Sequence, residues 1–458
     1  MRRIATISAL LLAACSAAPK YERPAVELPA QWKESAPRFA EDGRWWRIYE
    51  DASLDQMIEE ARAQNADLVI AAARVDEARA LLGEADSFFF PRVDAQAGAT
   101  RNRISQRTAT SFPGFPRQYS DYRATLNVSY ELDLFGRLRA GARAARAELE
   151  ASEASREAVR LALAAQVAKS YFAMQSFGEQ ARLTRETVKL REEALALQRK
   201  RFDAGVISDF ELRQLEAEAA VVRAQLPPLE REREREEAAL SVLLGRTPRE
   251  VLEGELKIAD AQARLAAPVV PAGLPSELLL RRPDLVEAER HLAAANARVA
   301  AARADLFPSI ALTAFLGSES AALSNLFSGP AGIAQLAASV TQPLFAGGLL
   351  KARSAAVEAR ERAVLAQYQQ AIRNAFGEVR TALAAQARSR ESYEAETARE
   401  QALAQSLRLA RLRYENGVAS QLDMIDAERG LLAARIARIE ALRAHRAAIA
   451  DLFRALGG

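Results

Sequence analysis

The chain has 458 residues, of which half are hydrophobic but only 6% are aromatic, and its 63 basic and 60 acidic residues leave a net charge of +3. A composition rich in alanine, arginine, glutamate and leucine, with little glycine and proline, is typical of long helices rather than of several globular domains. Because the two signs of charge are interleaved and no basic arm is present, a nucleic-acid-binding function has no support.

The N-terminus has the pattern of a secretory signal. Two arginines precede an apolar stretch at residues 4–12, and Leu-Ala-Ala leads into Cys15. This stretch is too short to cross a bilayer as a helix, so residues 1–14 are predicted to be a signal peptide. Cys15 is the only cysteine and stands at the cleavage point, as in a bacterial lipobox, which predicts lipidation. The alternative is a chance cysteine in an ordinary signal peptide. Ser16 favours the outer membrane as the destination.

Residues 15–52 are rich in proline and contain the pair Trp45-Trp46. They are predicted to form a lipidated, extended N-terminal segment that lies over the body of the protein rather than a core element. Helical patterning begins near residue 53 and stops at Phe90-Pro91, because a proline restricts the residue before it to extended conformations.

Strictly alternating segments come next. In the segment 119–132 the even positions from Tyr122 onward are apolar and the odd positions from Asp121 onward are polar, and a weaker alternation covers about 93–104. Such alternation predicts strands with one apolar and one polar face. The second half of the chain repeats the pair at about 309–318 and 333–343.

A long helical stretch follows each strand pair, predicted at about 135–202 and 345–414. At about 1.5 Å per residue, the first would be on the order of 100 Å long, far beyond an ordinary globular helix. Pro227-Pro228 are predicted to break the helix that returns from the first stretch.

Each long stretch ends in a turn with the same order of residues. Gly205 and Gly417 suit the left-handed cap that ends a helix. Ser208 and Ser420, each with an acidic residue three positions later, have the capping-box pattern that opens the next helix. The chain therefore contains two helical hairpins.

The whole unit is duplicated. The predicted division is a first repeat at 53–245, a linker at 246–275 and a second repeat at 276–458. Motifs that recur at a nearly constant offset support it, namely Asp-Leu-Val at Asp67 and Asp284 and Phe-Pro at Phe90 and Phe307.

Four strands of this kind cannot cover their own edges. In hydrocarbon an unpaired edge is costly, so membrane-spanning strands must close into a barrel, and single-chain bacterial barrels begin at about eight strands. Several chains must then each contribute a sector. Two copies would give eight strands and three would give twelve, and the spacing does not choose between them. The alternative is a water-soluble four-stranded sheet packed on helices.

Four motifs carry a specific resemblance, and they are Tyr130–Arg137 (YELDLFGR), Leu274–Leu285 (LPSELLLRRPDL), Ala293–Arg298 (AAANAR) and Ala455–Gly458 (ALGG). With them the chain resembles the TolC-like outer-membrane efflux protein family, in the lipoprotein branch that serves resistance–nodulation–division (RND) pumps, over nearly its whole mature length. The resemblance implies a mainly α fold with a small transmembrane β part. It also implies a homotrimer with a twelve-stranded barrel in the outer membrane over a long α-helical tunnel, docked to a periplasmic adaptor and an inner-membrane RND pump.

The resemblance also implies a periplasmic gate. Asp423 and Asp426 share one face of the last helix, with Tyr414 upstream and Asp209 of the first hairpin as further candidates. Three copies would bring up to six carboxylates into one ring, which would bind cations and repel anions. The alternative is that Asp423 caps its helix and that acids merely favour the first turn. Where some members carry an arginine that links the gate, this chain has Ala419.

The turns themselves are predicted to contact the adaptor at the tunnel tip, as well as to shape the hairpins. The residues concerned are Gly205, Val206, Ser208, Gly417, Val418 and Ser420.

Catalytic chemistry is not predicted. The sequence has no glycine-rich phosphate loop after a strand, and His291 and His445 stand far apart without metal-ligand spacing. No cofactor or metal is expected. The predicted function is a passive outer-membrane exit duct of a tripartite efflux system in a Gram-negative bacterium. The alternative, a periplasmic coiled-coil lipoprotein with a scaffolding or adaptor role, is disfavoured by the four strands. Drugs, metal ions and organic solvents all remain open as cargo.

Overall fold

A computed structural model describes residues 23–24, 43–105, 107, 116–254, 256 and 282–458. These residues divide into two compact units. The strand unit comprises Arg74–Glu153 and Glu287–Gln369 with residues 23–24, and the helical unit comprises the described parts of residues 43–73, Ala154–Val286 and Gln370–Gly458. The predicted signal peptide, Cys15 and most of the predicted linker lie outside the described residues.

One series of elements occurs twice. In the first copy, helix α1 (Ala52–Gln64) precedes the series, which contains helix α2 (Ala66–Ser87), strands β1 (Arg92–Arg103) and β2 (Gln118–Leu132), the long helix α3 (Arg137–Asp203) and the returning helix α4 (Asp209–Leu243). After the short helix α5 (Pro248–Glu253), the second copy contains α6 (Pro283–Ala304), β3 (Ser309–Ser320), β4 (Gly332–Thr341), the long helix α7 (Leu349–Glu415) and α8 (Gln421–Leu456). The duplication predicted from the motifs is therefore confirmed.

The strand unit holds one antiparallel sheet in the order β1-β2-β3-β4. Leu126 of β2 lies opposite Ala95 of β1 and Leu316 of β3, and Leu316 lies opposite Ala334 of β4. Because side chains alternate along a strand, this register places the apolar positions of all four strands on one face, here called the apolar face. The other face, here called the polar face, carries most of the charged and amide side chains, and Arg101, Arg103 and Gln118 lie on the apolar face near the loop that joins β1 to β2.

A tryptophan pair lies in the core of the helical unit. Trp45–Tyr49 forms a 3₁₀ helix, Trp45 and Trp46 are only 2% and 3% exposed, and the Trp45 ring stacks on Phe453 with the centroids 5.3 Å apart. The prediction of an extended surface segment is wrong here. The prolines that suggested it end at Pro37, and large indole rings gain more from burial than from a place on the surface.

Asn65 and Gly245 join the end of the first hairpin to the start of α2. The buried Asn65 side chain donates to the Leu243 carbonyl at 2.9 Å and accepts from the Asp67 N–H at 2.9 Å. Gly245 has φ +76°, and a Cβ there would lie 2.3 Å from the Gln64 carbonyl oxygen. Only glycine therefore fits this junction.

The second copy builds its junction with an arginine. Gly457 has φ +98° and approaches Arg282, which stands before α6 as Asn65 stands before α2. The Arg282 guanidinium donates to the Ala455 carbonyl at 2.7 Å and pairs with Asp284 at 2.7 Å and Glu378 at 2.9 Å. Each hairpin thus ends in a Leu-Gly pair held at the start of its own repeat.

The returning helix α4 runs without a break through Pro227 and Pro228. The predicted break is wrong because both prolines lie on the exposed side of the helix, where water can bond the carbonyls that they leave free. None of the helices in the described part of the chain is both long enough and apolar enough to cross a bilayer.

Candidate functional site

The two hairpin turns have the same geometry. Gly205 and Gly417 adopt the left-handed conformation, with φ of +73° and +70°, and an added Cβ would meet no atom within 4 Å at either one. The N–H groups of Val206 and Val418 each donate at 2.8 Å to the carbonyl five residues earlier. These bonds form the Schellman cap predicted from the glycines, and they leave both valines exposed.

Capping boxes open the helices that follow the turns. The Ser208 hydroxyl accepts from the Glu211 N–H at 3.3 Å, and the Glu211 carboxylate accepts from the Ser208 N–H at 2.8 Å. Ser420 and Asp423 make the same two bonds at the same distances. The Ser420 hydroxyl and N–H bind the charged form of Asp423 and lower its pKa. Asp423 is thus used as a cap, as the alternative interpretation predicts.

Asp426 is exposed one turn further along α8. Its carboxylate lies 3.3 Å from the guanidinium of Arg429, which also pairs with Glu218 on α4. Arg429 therefore connects the acidic candidate on the second hairpin with the returning helix of the first.

Tyr414 and Asp209 occupy the flanks of the turns. Tyr414 is half-buried near the end of α7, and exposed Asp209 pairs with Arg213 one turn on, at 3.3 Å. Within the described part of the chain, no hydrogen bond or ion pair joins either residue to Asp423 or Asp426.

A second ion-pair group connects the hairpins, and sequence reasoning missed it. Glu428 of α8 lies 3.0 Å from Arg191 of α3 and 3.6 Å from Arg411 of α7, and only 13% of the Arg191 side chain is exposed. These residues line a cleft of about 500 Å³ whose apolar wall includes Leu190, Leu195, Leu215, Leu407, Met424 and Leu432. Nothing near Arg191 in the sequence signals its partner on another hairpin. The pairing of Asp426 with Arg429, three residues apart, is readable locally.

The two histidines have local partners. A hydrogen bond to Glu148 at 3.0 Å, with Glu287 nearby, raises the pKa of His291 to about 9. His445 is buried beside the Ser389 hydroxyl at 3.1 Å, and burial lowers its pKa. Among the described residues, no group of three or more His, Cys, Asp and Glu side chains is arranged to hold a metal ion.

Comparison with known proteins agrees with the duplicated architecture. The model of the family described as outer membrane efflux protein matches residues 57–246 and 274–458. The chain is 36% identical over 463 residues to the probable efflux pump outer membrane protein TtgC of Pseudomonas putida, covering 99% of this chain and 94% of that protein. It is 34% identical over 456 residues to the probable outer membrane lipoprotein SilC of Salmonella typhimurium, covering 98% and 96%.

A solved structure with the same fold is the CmeC outer membrane channel of Campylobacter jejuni. It is 26% identical, with a TM-score of 0.87 over 97% of this chain and 95% of that one. The predicted mainly α fold with one small four-stranded sheet is confirmed, and so is the prediction of a non-enzymatic efflux channel of the outer membrane. The alternative function, a periplasmic coiled-coil lipoprotein with a scaffolding or adaptor role, is excluded. On these matches, the chain belongs to the outer membrane efflux protein family.

Proposed function

We propose that three copies of this chain form a homotrimeric duct, with a twelve-stranded barrel in the outer membrane and an α-helical tunnel in the periplasm. Small molecules would leave through it passively while it is docked to a periplasmic adaptor and an inner-membrane RND pump. The energy for transport would come from the pump. Membership of the outer membrane efflux protein family supports this assignment.

The sheet is the observation that carries the proposal. Its strands have 12, 15, 12 and 10 residues, and strands of about 9–11 residues are long enough to cross a bilayer. Among the described strands, β1 and β4 each have one neighbour, so each leaves an edge to be paired. Two copies would make eight strands, whose interior is filled by side chains, whereas twelve strands leave room for a passage.

Substitutions at two neighbouring residues of β4 test whether the sheet lies in the membrane. Leu336 is 83% exposed on the apolar face of β4, and Gln335 beside it lies on the polar face. Leu336→Arg would place a charge in lipid at a cost of about 2–4 kcal/mol near the midplane, so we expect loss of heat-resistant oligomers from purified outer membranes. Gln335→Arg should assemble normally because its side chain would face water. Equal effects of the two substitutions would contradict a membrane-spanning sheet.

The gate proposal places Asp426, with Asp423, Tyr414 and Asp209, around the periplasmic constriction of the trimer. Exposure of Asp426 and its link through Arg429 support a role for it at the closed end. Asp423 would contribute mainly by fixing the start of α8, because Ser420 already engages its carboxylate.

The adaptor would contact the duct at the two hairpin turns. The residues concerned are Gly205, Val206, Ser208, Gly417, Val418 and Ser420. Val206 and Val418 are 61% and 67% exposed, and Phe210 beside the first turn is 76% exposed. Exposed apolar surface is typical of protein contact sites, and the rigid caps would present these side chains without a large entropic cost on binding.

We propose that the mature protein carries a lipid anchor at its N-terminus. Cys15 would be lipidated after removal of residues 1–14, and residues 15–52 would lead from the anchor into the body. We also propose that the mature chain divides into two repeats, at 53–245 and 276–458, joined by a linker at 246–275. The two ranges that the family model matches support this division.

A further inference from the structure

Phe315 is a large apolar aromatic side chain on the polar face of the sheet. Phe315 of β3 lies opposite Asn127 of β2 and Gln335 of β4, both of which are polar-face residues. A phenyl ring in this position needs a partner that screens it from water. The Arg123 guanidinium supplies this partner, with its central carbon 4.8 Å from the ring centroid.

Arg123 reaches this ring along the sheet rather than from directly opposite. Its register partner is Glu319, whose carboxylate lies 3.8 Å from the Arg123 Nε. Gly317 stands between Glu319 and Phe315 on the same face, and a Cβ there would lie 2.8 Å from the Thr125 Cγ2. Thr125 is only 6% exposed, so it packs closely against Gly317, between the position of Glu319 and that of Phe315.

The Arg123 guanidinium is therefore held by contacts on one side while remaining open on the other. One face lies over Phe315, yet 44% of the side chain is still exposed. A planar guanidinium can stack a second aromatic ring on its free face, and its N–H groups can bind a carboxylate or sulfonate. The chemistry of this site fits a planar aromatic anion.

We propose that Arg123, stacked on Phe315, forms a contact site for planar aromatic anions on the wall of the duct, here called the guanidinium site. This inference rests on the proposed function, because the polar face becomes a lumen only when three copies close the barrel. The site would then occur three times around the passage. It would retain aromatic anions briefly and so favour their entry over that of aliphatic anions of similar size.

The test uses the full-length protein in planar bilayers, with 1-naphthoate as the aromatic probe and cyclohexanecarboxylate as the aliphatic comparison. We expect naphthoate to reduce the current at a lower concentration than cyclohexanecarboxylate. Arg123→Gln and Phe315→Leu should each raise the half-blocking naphthoate concentration about two- to fivefold, the range of an exposed cation–π contact. Arg123→Lys should also raise it, because it keeps the charge and loses the planar surface.

Arg92→Gln is the matched control. Arg92 lies on the polar face of β1 and pairs with Asp94 at 2.9 Å, so this change removes the same charge without touching Phe315. Block that is unchanged in Arg92→Gln and weakened in Arg123→Gln and Arg123→Lys supports the site, even if Phe315→Leu assembles poorly. Equal weakening in Arg92→Gln, or no weakening in the Arg123 variants, overturns it. A wild-type protein that forms no pore would overturn the trimeric duct itself, and the site with it.

Discussion

At the scale of single residues, the ion pair between Arg191 and Glu428 is a contact that should be sensitive to substitution. Arg191 is largely buried, and Glu428 is only 26% exposed. Glu428→Gln would leave the guanidinium without its carboxylate, at a cost of about 1.5–3 kcal/mol to the contact between the hairpins. Because this contact lies near the proposed gate, we expect a larger mean current through the reconstituted protein in planar bilayers.

Glu391→Gln provides the matched control for that measurement. Glu391 pairs with Arg388 three residues earlier on the same helix, and both side chains are more than half exposed. Loss of such a pair should change stability by less than about 0.5 kcal/mol and leave the current unchanged. A current that is also unchanged in Glu428→Gln would show that the Arg191 pair does not hold the gate.

The residue-scale predictions from sequence succeeded where the partner is close along the chain. The caps at Ser208 and Ser420 need only the acid three residues later, and both are present. The Arg191 pair was missed because it depends on which faces of two distant helices meet, and local patterns do not carry that information. The polar-face position of Phe315 was missed because the strand prediction used only the apolar positions around it.

At the scale of elements, Gly245 at the end of the first hairpin can be compared with Gly205 in the turn of the same hairpin. Gly245→Ala places a methyl group 2.3 Å from the Gln64 carbonyl oxygen at a positive φ, which should cost about 3 kcal/mol or more. At Gly205 the φ is similar, but an added methyl group would meet no other atom. Gly205→Ala should therefore cost only the strain of the left-handed backbone, about 1–2 kcal/mol. Thermal unfolding in detergent, followed by circular dichroism, should therefore show the larger fall in Tm for Gly245→Ala. Equal falls would mean that the contact with Gln64 is not rigid.

Element boundaries were predictable where one physical signal dominates. Alternation marks the strands, and glycine followed by serine marks the hairpin turns. The prediction at Pro227 was wrong because a rule about helix interiors was applied to an exposed face. The prediction at Trp45 was wrong because proline content describes the local backbone, whereas burial of the indole depends on helices from both ends of the chain.

At the scale of the whole molecule, the number of copies in the assembly has to be inferred from the two open edges of the sheet in one chain. The sheet order β1-β2-β3-β4 is antiparallel throughout, so β4 of one copy can pair with β1 of the next and continue the alternation. Such a head-to-tail contact closes into a ring when the rotation between copies allows it. The membrane then adds a strong reason for closure, because an open edge in hydrocarbon is costly.

Engineered cysteines can count the copies, since the chain contains only Cys15. Ala338 of β4 and the residues Ala95, Ala97 and Ala99 of β1 all lie on the apolar face. One of the three double variants that pair Ala338→Cys with a β1 cysteine should bring the two sulfurs within disulfide reach, because side chains directly opposite in antiparallel strands have Cβ atoms about 4.5–5.5 Å apart. Oxidised membranes should then give a ladder of covalent species that ends at three chains on a non-reducing gel.

The control for the ladder is Ala338→Cys combined with Ala124→Cys. Ala124 shares the apolar face, but its strand β2 already has neighbours on both sides, so no contact with a β4 from another copy is available to it. This variant should remain monomeric on the gel. A ladder that ends at two chains would point to eight strands and a filled interior, and one that continues past three would contradict the twelve-stranded closure. Because the guanidinium site and the gate both depend on the width of the passage, the length of this ladder also decides whether either can act on cargo.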